Sequence, residues 1–311
     1  MTDPAAPARA SRGALLASAA LVVNALVWGT SWWPFRKLHE AGLHPLWATA
    51  LIFTLASLVI VAARPRALGQ VLKTPALWLL VVAAGTTNAA FNWAVVIGDV
   101  VRVVLLFYLM PLWTVLLARA ILGERLTLAA ALRIGLALAG AAIVLWPAGQ
   151  STGVATLTSG WPLPRSLADW LGLVGGFSFA FNNVMLRREA GRPEEGRALA
   201  MFVGGAIVAG LLATALTVDG RLPQLPTPAA AWVLPIAALT VLFLAGNLAL
   251  QYGAARLPAN RTAVVMLTEV VFASASAIAF GGGALTARLA LGGGLIVASA
   301  LLAALAPGRA R

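Results

Sequence analysis

The sequence predicts an all-α membrane protein in which ten transmembrane helices form a 5+5 inverted repeat, with both termini cytoplasmic. Three observations lead to this prediction: the hydropathy of the chain, the placement of its basic residues, and a similarity between its two halves. Of 311 residues, 61% are hydrophobic and 10% are charged, and the mean hydropathy is +0.91. A soluble domain has roughly a quarter charged residues, so this composition indicates a membrane protein.

Stretches of predominantly apolar sequence follow one another along the chain. A helix needs roughly 20 apolar residues to cross a hydrocarbon core of about 30 Å. A spanning segment must satisfy its own backbone hydrogen bonds, and because these stretches lack the alternating polarity of barrel strands, we expect helices. The predicted spans are, in order, 14–35, 45–63, 75–97, 101–122, 127–147, 167–186, 198–217, 229–253, 261–280 and 289–306.

The basic residues are unevenly distributed between the two ends of the predicted spans. With the N-terminus inside, all but six of the 22 Lys and Arg residues fall at cytoplasmic ends. Such a bias orients multi-pass proteins, so we predict cytoplasmic termini and a multi-pass protein of the bacterial inner (plasma) membrane. The net charge of +12 then reflects topology, and we expect the lipid bilayer rather than nucleic acid as a partner.

The two halves of the chain are similar to each other. A shift of 159 residues relates the third to fifth helices to the eighth to tenth, and a shift of 151 relates the first to the sixth. The aligned polar and aromatic pairs are Asn88 with Asn247, Asn92 with Gln251, Arg102 with Arg261, Trp28 with Phe179, and Ser31 with Asn182. Because each half has an odd number of helices, the second half would enter the membrane from the opposite face.

This similarity defines the predicted domains. Residues 1–148 form the first five-helix repeat, of which residues 1–13 are a cytoplasmic tail. A periplasmic connecting loop at 149–166 leads to the second five-helix repeat at 167–311.

Short motifs in the first half resemble a known transporter module. The motifs are Trp28-Gly29-Thr30-Ser31, Leu109-Met110-Pro111, and Leu122-Gly123-Glu124-Arg125-Leu126-Thr127 followed by Gly135. Their ordered combination resembles the EamA module of the drug/metabolite transporter superfamily. The second half departs from that pattern, with Glu269-Val270 where the family often has Glu-Pro and Gly282-Gly283 where a Gly-Glu pair recurs.

The resemblance implies ten helices around a central path that opens alternately to the two faces. Within the superfamily the chain looks most like the aromatic amino-acid exporters. The implied function is therefore secondary transport, by a monomer, of a small-molecule substrate that is an aromatic or other hydrophobic neutral amino acid or a related metabolite.

Polar and aromatic side chains inside the predicted spans are the candidate substrate-binding residues. Polar groups are expensive within a bilayer and usually face a cavity or the bundle interior. Rings with amides suit a ligand that has a flat apolar body and polar groups, which describes an aromatic amino acid and also many planar drugs. The candidates are Asn24, Trp28, Ser31, Trp32, Asn88, Asn92, Tyr108, Ser178, Asn182, Asn183, Asn247, Gln251 and Glu269.

Each candidate also has a purely structural interpretation. An intramembrane asparagine can bond a neighbouring helix for about 1 kcal/mol without touching a ligand. Glu269 can couple transport to protons, bind a substrate ammonium, or bond an interior polar group, and the resemblance favours the last of these roles. Asp99 and Arg102 are predicted at an outer turn, where a solvated or paired state is expected.

Other classes of protein fit the sequence less well. His39 and His44 share one loop, cysteine is absent, and the acids do not cluster, so we expect no catalytic residues, no metal and no cofactor, with a membrane enzyme only a remote alternative. No filter-like motif of a channel occurs. The main alternative is a multidrug or cationic metabolite exporter of the same superfamily, for which Glu269 is the supporting residue.

Overall fold

The computed structural model describes residues 6–123, 127–146, 163–254, 256–257 and 265–304, and all regular secondary structure in these ranges is α-helical. The all-α prediction is confirmed for this part of the chain. The helices are α1 Ala6–Thr30, α2 Trp32–Glu40, α3 Pro45–Ala63, α4 Pro65–Lys73, α5 Pro75–Ile97, α6 Val100–Phe107, α7 Met110–Leu122, α8 Leu128–Leu145, α9 Leu167–Arg188, α10 Glu194–Val218, α11 Ala230–Ala254, α12 Thr268–Phe280 and α13 Ala287–Ala304.

Within the described ranges, seven helical stretches are long and apolar enough to cross a membrane, and each coincides with a predicted span. The stretches are Gly13–Glu40, Pro45–Ala63, Pro75–Ile97, Val100–Leu122, Leu128–Leu145, Glu194–Val218 and Ala230–Ala254. Gly13–Glu40 joins α1 with α2, and Val100–Leu122 joins α6 with α7. The three other predicted spans correspond to α9, which carries Asp169 and two arginines, and to the shorter apolar helices α12 and α13.

Local sequence explains where several helices begin and end. Pro45, Pro65 and Pro75 occupy the first position of α3, α4 and α5. Proline is favourable there because the N–H that it lacks would have no hydrogen-bond partner within the helix. Gly123 and Gly281 follow α7 and α12 with φ of 70° and 69°, a left-handed conformation that ends a helix and favours glycine.

The helices pack in pairs that draw on both halves of the chain. α1 packs against α11 and α12, while α9 packs against α5, α6 and α7. α10 packs against α3 and α5, α3 also meets α11, and α8 lies against α13. The crossing of α5 and α10 is so close that a Cβ added at Gly85 would stand 2.3 Å from Gly204 O. The largest buried cluster surrounds α6 and includes Leu105 and Leu106.

One helix was not expected from the sequence, and some predictions fall outside the described residues. α4 occupies the segment between the second and third predicted spans. Residues 1–5, the motif positions 124–126, residues 149–162 of the connecting loop, and Arg261 lie outside the described ranges.

Candidate functional site

Two helices are interrupted at positions that the 159-residue shift relates. α6 ends at Phe107 and α7 begins at Met110, so the chain turns at Tyr108 and Leu109. A second turn, at Leu267, precedes α12, and Leu267 is the position on which Tyr108 falls after the shift. Backbone groups at such breaks leave the regular hydrogen-bond ladder, which a membrane protein tolerates only where the break is buried in protein or lines a cavity.

Tyr108 and Glu269 connect the two breaks. The Tyr108 hydroxyl donates a hydrogen bond to Glu269 Oε2 at 3.3 Å and lies 3.5 Å from Met266 O. Tyr108 is 2% exposed, whereas Glu269 is half-buried. Among the described residues, no Lys or Arg forms an ion pair with Glu269. The carboxylate of this half-buried residue therefore bonds a buried phenol.

α1 packs directly on the break before α12. A Cβ added at Gly29 would stand 2.8 Å from Glu269 O and 2.9 Å from Phe272 Cβ, so only a glycine allows this approach. The neighbouring Trp28 is half-buried and stacks on Phe243, with ring centroids 4.5 Å apart and an interplanar angle of 25°. Trp28 therefore faces α11, whereas the next residue, Gly29, faces the break.

Three of the candidate amides lie where α1 meets α11. Asn24 is fully buried, and its Nδ2 donates to Gly246 O at 2.8 Å. Gln251 Nε2 donates to Asn247 Oδ1 at 2.6 Å, with Asn247 half-buried and Gln251 exposed. Asn24 Oδ1 is enclosed and accepts no hydrogen bond among the described residues.

Ser31 and Trp32 make structural contacts near the junction of α1 and α2. Ser31 Oγ donates to Trp28 O at 2.9 Å, and Trp32 Nε1 donates to Ser276 Oγ at 2.8 Å. Both residues are buried. Trp32 also covers Gly282, where an added Cβ would meet the indole ring at 2.5 Å.

The two amides of α5 form hydrogen bonds with different kinds of partner from the two amides of α11. Asn88 Nδ2 donates to Ala84 O of its own helix at 2.8 Å, and Asn92 Nδ2 donates to Thr49 Oγ1 of α3 at 3.1 Å. Asn92 is fully buried and its Oδ1 accepts no bond in the described part of the chain. The hydrogen bonds of Asn88 and Asn92 in the described structure therefore go to α5 and α3 rather than to Tyr108 or Glu269.

α9 approaches the first break through small residues. A Cβ added at Gly176 would stand 2.4 Å from Phe107 O. On the same helix, Ser178 and Asn182 are buried and Asn183 is half-buried. Asn182 Oδ1 is enclosed without a described partner. α9 thus carries a buried amide six residues after Gly176, and the role of Asn182 in binding stays a prediction.

Sequence reasoning missed some residues that contact the candidate residues Trp28 and Tyr108. Phe243, which stacks on Trp28, lies one helical turn before Asn247, so the same helical face would have indicated it. Phe107 contacts Phe91 and Phe179, with centroids 4.9 and 5.4 Å apart. No sequence pattern indicates the carbonyl of Met266, because only the turn at Leu267 leaves this oxygen free to approach Tyr108.

One end of the bundle is closed by polar contacts. Arg102 forms a bidentate ion pair with Asp169, at 2.7 and 3.0 Å, and its Nη1 donates to Val144 O. Val100 N donates to Gly282 O, and Ala284 N donates to Asp99 Oδ2. We call this the closed end, defined by Asp99, Arg102, Asp169, Gly282 and Ala284. The outer turn predicted for Asp99 and Arg102 lies here.

Cavities occur at the other end of the bundle. One, of about 410 Å³, is lined by Leu116, Arg119, Ala120 and Gly123. The other, of about 420 Å³, is lined by Leu122, Arg187, Arg188 and Ala190. Both lie where α7 and α9 end, away from the Tyr108–Glu269 bond. Within the described ranges, no three His, Cys, Asp or Glu side chains gather where a metal ion could bind.

The comparisons with known proteins fit this architecture. Residues 13–146 match the EamA-like transporter family. This match supports the EamA superfamily and, with the apolar helices, indicates a multi-pass membrane protein. It points to a membrane transporter of the drug/metabolite superfamily rather than to an enzyme.

Solved structures share the fold over most of the chain. Fifteen chains match, among them a crystal structure described only as that of a protein. That structure is 21% identical with a TM-score of 0.57, and the alignment covers 92% of this chain and 96% of that one. At such identity the likeness concerns the fold alone. No curated protein matches the chain in sequence.

Proposed function

We propose that this protein is a secondary transporter that exports aromatic and other hydrophobic neutral amino acids, or related metabolites, through a central alternating-access path. The observation that carries the proposal is the hydrogen bond between Tyr108 and Glu269, which joins two helix breaks, the second of which packs on Gly29 of α1. In transporters, broken helices in corresponding positions of two repeats commonly mark the binding site.

The proposed architecture is a ten-helix 5+5 inverted repeat with domains at 1–148 and 167–311, a connecting loop at 149–166 and cytoplasmic termini in a bacterial inner membrane. Two observations support it. The breaks at Tyr108 and Leu267 are related by the repeat shift. The packing pairs also correspond when the halves are exchanged, since α1 with α11 becomes α9 with α5, and α3 with α11 becomes α10 with α5.

The proposed ligand follows from side chains of α1 and α11, and α1 also packs on the break before α12. Trp28 and Phe243 provide aromatic surface, while Asn247 and Gln251 provide amide groups, of which Gln251 is exposed. A flat apolar side chain can stack on the rings, and amides and a carboxylate can orient the ammonium and carboxylate of an amino acid. This ligand agrees with the resemblance to the aromatic amino-acid exporter YddG.

Efflux from proteoliposomes tests the proposal. Vesicles loaded with radiolabelled Phe, Trp or Tyr should release label faster when they contain the protein, and unlabelled aromatic amino acid should compete. Trp28→Ala should slow this efflux, whereas the matched Trp170→Ala, at a 56% exposed position of α9, should not. Absence of competable flux, with and without a proton gradient, would reject the proposal.

A multidrug or cationic metabolite exporter is the second candidate, and Glu269, which forms no ion pair with a Lys or Arg of the described residues, favours it. A carboxylate without a basic partner attracts organic cations. Glu269→Gln should abolish efflux of an organic cation but leave zwitterion efflux measurable if cation transport is a separate activity. A wild-type protein that moves cations and no amino acid would favour this candidate over the first.

A further inference from the structure

α4 joins two membrane-crossing stretches at one surface of the molecule. It runs from Pro65 to Lys73, between the end of α3 and the start of α5. Both neighbours are long and apolar enough to cross a membrane, so the segment between them lies at a membrane surface. At 1.5 Å per residue α4 is about 14 Å long, too short to cross.

One side of α4 fixes it to the bundle. Ala67 and Val71, four residues apart, are 0% and 2% exposed and belong to a buried cluster with residues of α5 and α10. Gln70 Nε2 donates a hydrogen bond to Glu195 Oε1 of α10 at 2.8 Å. α4 is therefore a docked helix with a defined orientation.

The rest of the α4 surface is divided between apolar and cationic side chains. Leu68 and Leu72 are 41% and 62% exposed, and their spacing of four places them on one face. Arg66 and Lys73 are exposed and seven residues apart, which places them together on another face. Helices with an apolar face and a cationic face lie in the interface of a membrane.

The positive charge around α4 is not neutralised by the protein. Among the described residues, Arg64, Arg66 and Lys73 form no ion pair. The nearby carboxylate of Glu195 accepts from Gln70 instead. Two residues further along α10, Arg197 Nε is enclosed without a hydrogen-bond partner in the described structure.

We propose that α4 binds the headgroups of anionic phospholipids. Leu68 and Leu72 enter the acyl region beside the bundle, and Arg66 and Lys73 contact the lipid phosphates. Each Lys or Arg near an anionic surface strengthens such binding by roughly fivefold. The site is independent of what the protein transports, because it needs only the membrane and the docked helix.

Quenching by brominated lipids tests this site, since the chain has no cysteine and a single label can be introduced cleanly. Leu72→Cys carries a fluorophore in vesicles of phosphatidylcholine and phosphatidylglycerol, with bromine on the acyl chains of one lipid at a time. Brominated phosphatidylglycerol should quench more than brominated phosphatidylcholine at equal mole fraction. A label at Leu234→Cys, which is 67% exposed on α11, should show no preference.

Charge removal identifies the residues that bind. Arg66→Gln and Lys73→Gln should each lower the phosphatidylglycerol preference by roughly fivefold. The matched Arg221→Gln, at a side chain that is 74% exposed after α10, should leave it unchanged. Equal quenching by both lipids in the parent protein, or no quenching by either, overturns the proposal. If either variant does not fold, the salt dependence of the labelled parent provides the test. A phosphatidylglycerol preference that does not weaken as the salt concentration increases also overturns the proposal.

Discussion

Three amide oxygens inside the bundle lack a hydrogen-bond donor. Asn24 and Asn92 donate to Gly246 O and Thr49 Oγ1, but their Oδ1 atoms, and that of Asn182, are enclosed without a described partner. An unsatisfied buried polar atom costs about 1–3 kcal/mol. A water molecule or a substrate ammonium would supply the missing donor, so we expect ordered polar ligands at these oxygens.

Replacing Gly29 with alanine should destabilise the protein. A Cβ there would stand 2.8 Å from Glu269 O, so α1 would have to move away from α12. Overpacking of this kind costs about 1–3 kcal/mol, and we expect a lower melting temperature in detergent. The control is Gly135→Ala in α8, where nothing lies within 4 Å and alanine favours the helix. Equal melting temperatures for the two variants would contradict close packing at the break.

His44 should make stability depend on pH. Its Nδ1 accepts a hydrogen bond from Leu46 N at the start of α3, and burial, with a smaller effect of His39, lowers the pKa of His44 to about 4. The unfolded chain has a histidine pKa near 6.5, so the full stabilisation is present above about pH 6.5 and is lost as the pH falls towards 4.

The variant His44→Asn separates this titration from the helix cap. Asparagine still accepts a bond from the α3 backbone but cannot take up a proton. Melting temperatures measured between pH 7 and pH 4 should therefore fall less steeply for His44→Asn than for the parent. His39→Asn, at an exposed position, should keep most of the parent slope. Parallel curves for parent and His44→Asn would show that another group causes the acid sensitivity.

At the scale of single elements, α6 holds the closed end together through Arg102. The side chain of Asp169 is 4% exposed and that of Arg102 26% exposed, so removing one partner leaves a poorly solvated charge. We expect a coupling free energy of about 1–3 kcal/mol in a double-mutant cycle of Arg102→Gln and Asp169→Asn, from unfolding in detergent.

An exposed ion pair with the same shortest N–O distance provides the comparison. Lys37 and Glu40 are 2.7 Å apart, but their side chains are 54% and 53% exposed. Exposed pairs contribute about 0–1 kcal/mol, so the cycle of Lys37→Gln and Glu40→Gln should give a coupling near zero. If both cycles gave the same small coupling, the ion pair at the closed end would not stabilise the fold.

The long helices were predictable because hydropathy determines them. The stretches Pro45–Ala63 and Pro75–Ile97 have the predicted bounds. A run of apolar residues between prolines and charges has one low-energy conformation in a bilayer, which is a helix that spans it. α4 escaped prediction because its nine residues are too few for a hydropathy signal, and its buried side is only Ala67 and Val71.

Contacts between helices were harder to predict than the helices. The amide pattern on α5 and α11 suggested equivalent roles, yet Asn92 donates to Thr49 whereas Gln251 donates to Asn247. The sequence states which residues are polar but not which neighbouring helix faces them. No glycine stands at the break at Tyr108 to indicate it in the sequence. The residues that Tyr108 contacts there, Glu269 and Met266, come from a distant part of the chain.

At the scale of the whole molecule, locking the closed end should stop transport. A Cβ at Gly283 would stand 2.8 Å from Asp99 Cγ, so cysteines at these two positions can form a disulfide between the halves. We expect oxidised Asp99→Cys/Gly283→Cys protein to lose efflux and to regain it after reduction.

Asp99 Oδ1 caps the start of α6 by accepting a hydrogen bond from Arg102 N. The single variants Asp99→Cys and Gly283→Cys control for the loss of this cap and for the added side chain, because neither can cross-link and the chain has no other cysteine. Efflux that continues at the parent rate in fully cross-linked protein would mean that the closed end does not open during transport.

The crossing of α5 and α10 and its counterpart, α3 with α11, are built differently. The first brings Gly85 onto the backbone of Gly204, while the second places the rings of Phe53 and Phe243 6.0 Å apart. In an inverted repeat with identical halves, the inward-open and outward-open states would have equal free energies by symmetry. If the chain is the inverted-repeat transporter proposed above, bare backbone on one side and rings on the other remove that degeneracy, and we expect the resting population to favour one state.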